Sequence, residues 1–518
     1  MSRKALTPKP ETTTARNSKR IHRGTEQQEA MWTHLIERPD HVMVDARAGC
    51  GKSSSCREGM HRIRAAKPSA KMRYAVFNKA NANEFAAQCP DGVDVGTVHS
   101  FGYKTLRRAF GSQVEPKKTY VVLDDLPDAA SVPRYFRKSI AMLVGLAKNH
   151  AVRPDKIDKQ FLIRLAAQFD VDTFHQADKL AEWSQKVIER SAEWSKLVDF
   201  DDMLWLPFVH QLPFEDSDDL FLDEVQDWNL TQHALIPLMA KSGRVVAVGD
   251  PFQAIYAWRG ADADSMGRLA QQLGEGRSLA RLPLTLTFRC PRSHVRLANK
   301  YVADFFAHET NDEGSVIRME AGRALQTRPG DLVISRTNAV VIKQALKKIA
   351  AREPAVVMGR AIGDQLMSIV RACGECRTIN VLSSRVESWR SRELARLMGV
   401  EGSDSLVEQV NDRTNGLVAI LQNCSAPGDV ETAINELFAD RAPEDVTRFS
   451  TIHRAKGAEA ERVWFIQTPD RETKAPWEKQ QNKNLSYVAL TRSKSALFLI
   501  SPERKDEHGD GQGGGWNS

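Results

Sequence analysis

Eight short apolar runs punctuate the chain, and longer segments with apolar residues every three or four positions fill the intervals between them. Runs of this kind, with little polar alternation, mark strands buried on both faces of a parallel sheet, and their alternation with helical periodicity predicts α/β domains. The first group is HVMVDA (41–46), MRYAVF (72–77), DLFLDE (219–224) and RVVAVGD (244–250); the second is DLVISR (331–336), PAVVMG (354–359), ERVWFIQ (461–467) and SALFLIS (495–501). Two groups predict two similar parallel-sheet cores. Residues 105–195 interrupt the first with helix-compatible segments such as KSIAMLVGLAK and KLAEWSQKVIERSAEW, and 378–442 interrupt the second with SWRSRELARLM and DVETAINELFADR. The expected division is therefore a basic tail (1–23), a first core (24–104 and 196–280) with an insertion (105–195), a second core (281–377 and 443–503) with a shorter insertion (378–442), and a flexible polar tail (504–518).

Composition narrows the class. A chain of 518 residues exceeds one hydrophobic core, and its 42% apolar and 27% charged content is that of a soluble globular protein. No apolar run reaches the roughly eighteen residues that would cross a bilayer, and no apolar stretch follows the basic N-terminus, so neither a membrane partner nor a secretory signal is expected. Seven scattered cysteines argue for a reducing, cytoplasmic setting. Only Cys373 and Cys376 form a C-x-x-C, without the second pair that a structural zinc site needs. The formal charge is +7, but residues 1–23 hold seven Lys/Arg against one Glu, which leaves the body near neutral. Residues 104–164 carry thirteen Lys/Arg against six Asp/Glu, enough to line a phosphate track.

The chemistry begins at the end of the first run. After Asp45 the chain turns through small residues to Gly49-Cys50-Gly51-Lys52-Ser53 and enters a helical pattern. Such a turn converges backbone N–H groups, including those of Ala48 and Ser54, at the positive end of a helix. Lys52 adds charge toward the β- and γ-phosphates, and Ser53 offers a hydroxyl to Mg²⁺. Ala46 stands where the generic loop has its first glycine, at the strand exit and away from the cradle's centre. The third run ends in Asp223-Glu224, which places two carboxylates at the carboxyl edge of the same sheet. Asp223 is expected to hold Mg²⁺ with Ser53, and Glu224 to orient or deprotonate water.

Together with DEVQD (223–227) and GDPFQAIYAWRGAD (249–262), the loop resembles the UvrD/Rep-like superfamily 1 DNA helicases. Further matches follow in family order: TEQQEA (25–30), VFNKAN (76–81), GTVHSFG (96–102), DFDDML (199–204), LTFRCP (286–291), SRTNA (335–339), STIHRAKGAE (450–459) and NLSYVALTRSK (484–494). The resemblance covers nearly all of residues 24–500. It implies two RecA-like domains, each with a helical insertion, that bind ATP and Mg²⁺ between them. It places Gln28 on the adenine edge, Phe288 on the adenine face where the family usually has tyrosine, and Glu459 at the ribose. Gln253, Arg289 and Arg492 would reach the γ-phosphate, the arginines arriving from the second core. One departure is Gln481-Asn482, where the family commonly carries acidic residues.

A nucleic-acid track is implied as well. Tyr256 and Trp258 alternate with small residues, so an extended backbone would present both rings on one side as stacking platforms, with Arg259 beside them. In family terms Phe77, Asn78, Thr97, His99, Thr451 and His453 complete the track, although each histidine also fits a buried hydrogen-bonded role. The reading that follows is an ATP- and Mg²⁺-dependent helicase or translocase on single-stranded DNA and duplex junctions, as a monomer or weak dimer, with 3′-to-5′ movement implied by the resemblance. Two alternatives stand beside it: a translocase that displaces proteins with little unwinding, and a nucleic-acid-binding protein with an inactive ATP site.

Overall fold

The computed structural model describes residues 24–76, 79–169, 171–173, 176–256, 264–397, 404–440, 445–469 and 476–502. Six strands, β1 (His41–Ala46), β2 (Met72–Val76), β3 (Asp94–Thr97), β4 (Asp219–Leu222), β5 (Arg244–Gly249) and β6 (Leu279–Leu284), form one sheet in the order β3-β2-β4-β5-β1-β6. Seven more, β7 (Ser315–Met319), β8 (Leu332–Ser335), β9 (Ala355–Met358), β10 (Phe438–Ala439), β11 (Thr447–Thr451), β12 (Ala460–Ile466) and β13 (Ser493–Ile500), form a second in the order β7-β13-β12-β8-β11-β9-β10. Every neighbouring pair is parallel. All eight apolar runs are strands. β3, β6, β7, β10 and β11 were not expected from the apolar pattern.

Parallel strands bring their carboxyl ends to one edge, so the residues after β1, β4 and β5 meet there. β1 lies between β5 and β6, with Val44 beside both Val248 and Leu282. Ala46 is fully buried in the core under this edge, which explains a small residue at the strand exit.

The helices that matter below are α1 (Glu26–Glu37), α2 (Lys52–Ala66), α3 (Val98–Phe110), α4 (Phe136–Asn149), α5 (Ala177–Glu193), α6 (Asp202–Val209), α7 (Leu230–Ala240), α8 (Asn338–Ala350), α9 (Ile379–Leu397), α10 (Asp404–Leu421), α11 (Asp429–Leu437) and α12 (Pro476–Leu490). The first insertion has its own apolar cluster, running from Leu106 to Val209 and so drawing in α3 and α6 beyond the expected 105–195. α3 and α6 touch backbone to backbone at Gly102, where a Cβ would lie 1.8 Å from the Met203 carbonyl oxygen.

The basic stretch 104–164 is not one surface. Lys118 and Lys148 are fully buried: Lys118 Nζ is 2.7 Å from Asp202, and Lys148 Nζ is 2.8 Å from Asp202 and 2.9 Å from Asp199. Two of the thirteen cations thus neutralise buried aspartates at the root of the insertion and contribute nothing to a phosphate track.

Among the described residues, the second insertion forms no separate core. Leu382 and Val386 of α9, Leu417, Ile420 and Leu421 of α10 and Val430 of α11 share one cluster with Val333, Val357 and Trp464 of the sheet. α10 lies against α8, and its Asp412 accepts from the amides of Asn338 (2.9 Å) and Ala339 (2.7 Å), a carboxylate at a helix N-terminus. All seven cysteines are free. No described helix is long and apolar enough to cross a membrane.

Candidate nucleotide-binding cleft

Gly49 and Gly51 both adopt left-handed backbone, with φ of 69° and 78°. Gly51 precedes α2, and Lys52 and Ser53 open that helix. Cys50 is a buried, neutral filler: burial pushes its thiol up to about 11. Ser54 is exposed on the first turn of α2.

Opposite this loop stand the acids. Ser53 Oγ is 3.3 Å from Asp223 Oδ2, which also accepts from the Tyr74 hydroxyl at 2.7 Å. Lys52 Nζ lies 3.4 Å from Glu224 Oε1. Burial, then the neighbouring Glu224 charge, pushes Asp223 up to about 6. Burial also acts on Glu224, but Lys52 and Lys456 outweigh it and hold the carboxyl down at about 2. Glu224 itself sits in left-handed backbone (φ 51°), a strained position for a residue with a side chain.

The second core reaches over the same loop. A Cβ on Gly49 would meet Arg289 Cβ at 2.6 Å, and the Phe288 amide donates to the Gly49 carbonyl at 3.0 Å. Arg289 Nη1 pairs with Glu459 at 2.5 Å, while its buried Nε has no partner. Arg492 is 1% exposed and donates to the carbonyls of Val488 (2.9 Å) and Ala458 (3.4 Å) and to the Thr491 hydroxyl (3.1 Å). Among the described residues it has no carboxylate partner. Burial, then the charge of Arg289, lowers its pKa to about 10. The glycine-rich loop of the first core and Arg289 of the second, with its orphaned guanidinium N–H, thus face one another across one cleft between the two cores.

The family model for the UvrD/REP helicase N-terminal domain matches residues 25–273, and that for the UvrD-like helicase C-terminal domain matches 447–500; together they cover more than half of the chain. The chain belongs to the UvrD/Rep helicase family. It is 24% identical to F-box DNA helicase protein 1 of Schizosaccharomyces pombe over 89% of this chain and 56% of that protein. Against the ATP-dependent DNA helicase Rep of Escherichia coli it is 25% identical over 41% of this chain and 32% of the relative; against DNA helicase II of the same organism, 26% over 44% and 34%. The chain thus spans from about a third to just over half of the length of these relatives.

Within this UvrD-family cleft the other expected residues fall as follows. Phe288 is 44% exposed beside the loop, with His308 tilted against its ring at 4.8 Å. Glu459 is shared between Arg289 and Lys494, the latter at 3.1 Å. Gln253 is buried and donates to Asp250 at 2.7 Å. Gln28 accepts from Thr25 N (3.0 Å) in the α1 capping box and donates to Ser55 (2.9 Å), so its amide ties α1 to α2. The Ala48 amide donates to the Tyr487 hydroxyl of α12 at 2.8 Å. Asn482 accepts from Arg336 at 2.8 Å, so this amide meets a cation where the family commonly has an acid.

On the nucleic-acid side, Tyr256 donates its hydroxyl to the His453 carbonyl at 2.9 Å, and Lys456 Nζ lies 5.2 Å from its ring centroid. The structure therefore brings Tyr256 and His453 together across the cores. Thr97 caps α3 by accepting from Ser100 N at 3.1 Å, and burial lowers the pKa of His99 two residues on. Thr451 begins the short helix that carries His453. Phe77, Asn78, Trp258 and Arg259 lie outside the described residues.

Sequence reasoning missed several members. Lys456 pairs with Asp227 at 2.5 Å and donates to the Gln253 carbonyl at 2.6 Å, so it binds the second core to both the DEVQD segment and the segment of Gln253. The Tyr487 hydroxyl, which accepts from Ala48, donates to Asp250 at 3.3 Å. These residues lie within quoted motifs, but their roles are set by the opposite core, which no local pattern reports.

Proposed function

We propose that the chain is an ATP hydrolase that moves along single-stranded DNA, 3′ to 5′, and separates strands at duplex junctions. The observation that carries this reading is the approach of Arg289 of the second core to the phosphate loop of the first, at Gly49, with Arg492 buried behind it in the same core. Charge spreads over the transferring phosphoryl oxygens in the transition state, and planar cations fixed beforehand stabilise it; an arginine in this role is worth about 10³–10⁵ in rate. Arg492, held by two carbonyl oxygens and a hydroxyl and by no carboxylate among the described residues, keeps its charge for such an anion.

Ser53 and Asp223 fit a divalent cation, because the buried carboxyl and the hydroxyl lie 3.3 Å apart and burial leaves the acid short of positive charge. Mg²⁺, when bound there with ATP, neutralises charge on the phosphate oxygens. Lys52 now pairs with Glu224, and a phosphate would draw it away. Glu224, freed of that cation, becomes a stronger base toward the attacking water. Phe288 offers an exposed face to a base. Gln253, Lys456, Tyr256 and His453 form a short chain from the phosphate side of the cleft to the expected DNA track, along which hydrolysis would alter the grip on the strand.

Lys52→Ala should abolish ATP turnover stimulated by single-stranded DNA, and duplexes with a 3′ tail should be unwound while those with a 5′ tail are not. Unchanged turnover in the variant overturns the assignment; preference for the 5′ tail overturns the direction alone. A second reading, displacement of bound proteins with little unwinding, is favoured by one observation. The described residues of the second insertion are a layer packed into the second core's own cluster, which leaves them little independence to hold a duplex. Strand-separation and protein-displacement assays run side by side distinguish the two.

A further inference from the structure

Arg47 leaves β1 just before the phosphate loop, and none of the nucleotide contacts assigned above uses it. A loop that wraps phosphate calls for small residues here, yet this long cation is buried, with its side chain 8% exposed. Its Nε and Nη2 donate to Oδ1 and Oδ2 of Asp304 at 3.0 and 2.6 Å, a two-pronged pair across to the second core. Nη1 returns to the Ala46 carbonyl at 3.2 Å, and the guanidinium carbon stands 4.9 Å from the Phe252 ring centroid. Phe252 adjoins Gln253 and meets the Tyr487 ring edge-on at 6.2 Å; Tyr487 in turn meets Phe305, the neighbour of Asp304, at 5.6 Å. Arg47, Phe252, Tyr487, Phe305 and Asp304 therefore close a ring of contacts from the strand exit, through the segment of Gln253, to the second core and back.

We propose that Arg47 is a positioning residue: a strut to Asp304 that registers the phosphate loop against the second core, so that Arg289 arrives over Gly49 in the geometry that hydrolysis needs. The inference rests on reading the cleft as an ATPase. A planar fork matches a carboxylate at two points and can lie on an aromatic face at the same time, which a lysine cannot do. Asp304 is half-exposed, so the strut ends at the rim of the cleft, where it can part when the cores move.

The test compares the full chain with Arg47→Ala, Asp304→Ala, the double variant, Arg47→Lys and the charge swap Arg47→Asp/Asp304→Arg. For ATP hydrolysis stimulated by single-stranded DNA, either alanine variant should lose roughly 10- to 100-fold in kcat, the scale expected from a small misplacement of catalytic groups, with KM for ATP nearly unchanged. The double variant should be no worse than either single, Arg47→Lys should remain slow, and the swap should recover part of the loss. Additive losses, a wild-type kcat in either single, or an effect confined to KM overturns the strut. Urea unfolding of the same four alanine-cycle proteins reads the pair without ATP, and its midpoints should combine non-additively. If they do while the wild-type chain turns over no ATP, the functional reading falls and the positioning role with it; if ATP is turned over and no coupling is found, the strut alone fails.

Discussion

At Gly49 two independent constraints meet in one residue. Its φ of 69° lies where a side chain costs about 1 kcal/mol or more, and a Cβ there would press on Arg289, whose own Cβ would be 2.6 Å away. The first constraint shapes the phosphate cradle, and the second lets the other core approach. Gly49→Ala should therefore lower DNA-stimulated kcat at least about tenfold by displacing Arg289, a loss of the kind that small misplacement brings, while Gly111→Ala, equally left-handed but with no atom within 4 Å of its Cβ, leaves kcat near wild type and measures the backbone term in stability alone. Equal kcat losses in the two variants would show that crowding at Arg289 is immaterial. Lys52, Asp223 and Glu224 could be read from the sequence because phosphate chemistry demands those residue types just after apolar runs. Arg47, Asp250 and Tyr487 could not, since their roles depend on which surface the opposite core presents.

Secondary-structure elements were legible in proportion to how completely they are buried. β2, β4, β5 and β8 lie inside their sheets, are buried throughout and read as continuous apolar runs. β3, β6, β7 and β10 stand at sheet edges, where one flank has no strand neighbour, and β6 carries the polar Arg281 and the proline Pro283 that breaks a ladder without cost at an edge. β11 is the instructive exception: it is interior, yet polar in sequence, because Arg448 turns its head to the carbonyls of Gly330 (3.2 Å) and Glu459 (3.4 Å). GTVHSFG was legible as a family motif, but part of its reason is packing. Gly102 lets α3 and α6 approach until no Cβ fits, so Gly102→Ala should force the helices apart and destabilise the chain by about 1–3 kcal/mol, the usual cost of overpacking. Thermal unfolding checks this, and an unchanged midpoint would mean that the contact gives way freely.

The two cores meet around one cleft, and the first insertion is tied to that cleft by polar contacts that cross element boundaries. Thr231 of α7, the helix after the DEVQD segment, donates to the Lys148 carbonyl at 2.6 Å and accepts from the Ala151 amide at 2.8 Å. Asn149 accepts from Asn229 at 2.6 Å and donates to Asp201 at 3.2 Å. Asp201 thus sits where the insertion, its buried lysine–aspartate group and the first core converge. Burial, then the charge of Asp199, raises its carboxyl to about 6. Between about pH 4, the ordinary carboxylate value, and pH 6, the folded chain keeps a proton that the unfolded chain has released. The contribution is a stability fully present below the ordinary pKa and lost as pH rises through 6. Asp223 and Asp227 are raised to about 6 as well and act with the same sign, whereas the lowered histidines His41, His99 and His294 act with the opposite sign, so wild-type stability alone cannot isolate Asp201. Asp201→Asn can, because the amide is neutral at every pH. Relative to wild type it should gain about 1–2 kcal/mol at pH 7 over its value at pH 4.5, read from urea titrations at both. An identical difference at the two pH values would mean that Asp201 titrates normally and is already largely ionised at pH 4.5.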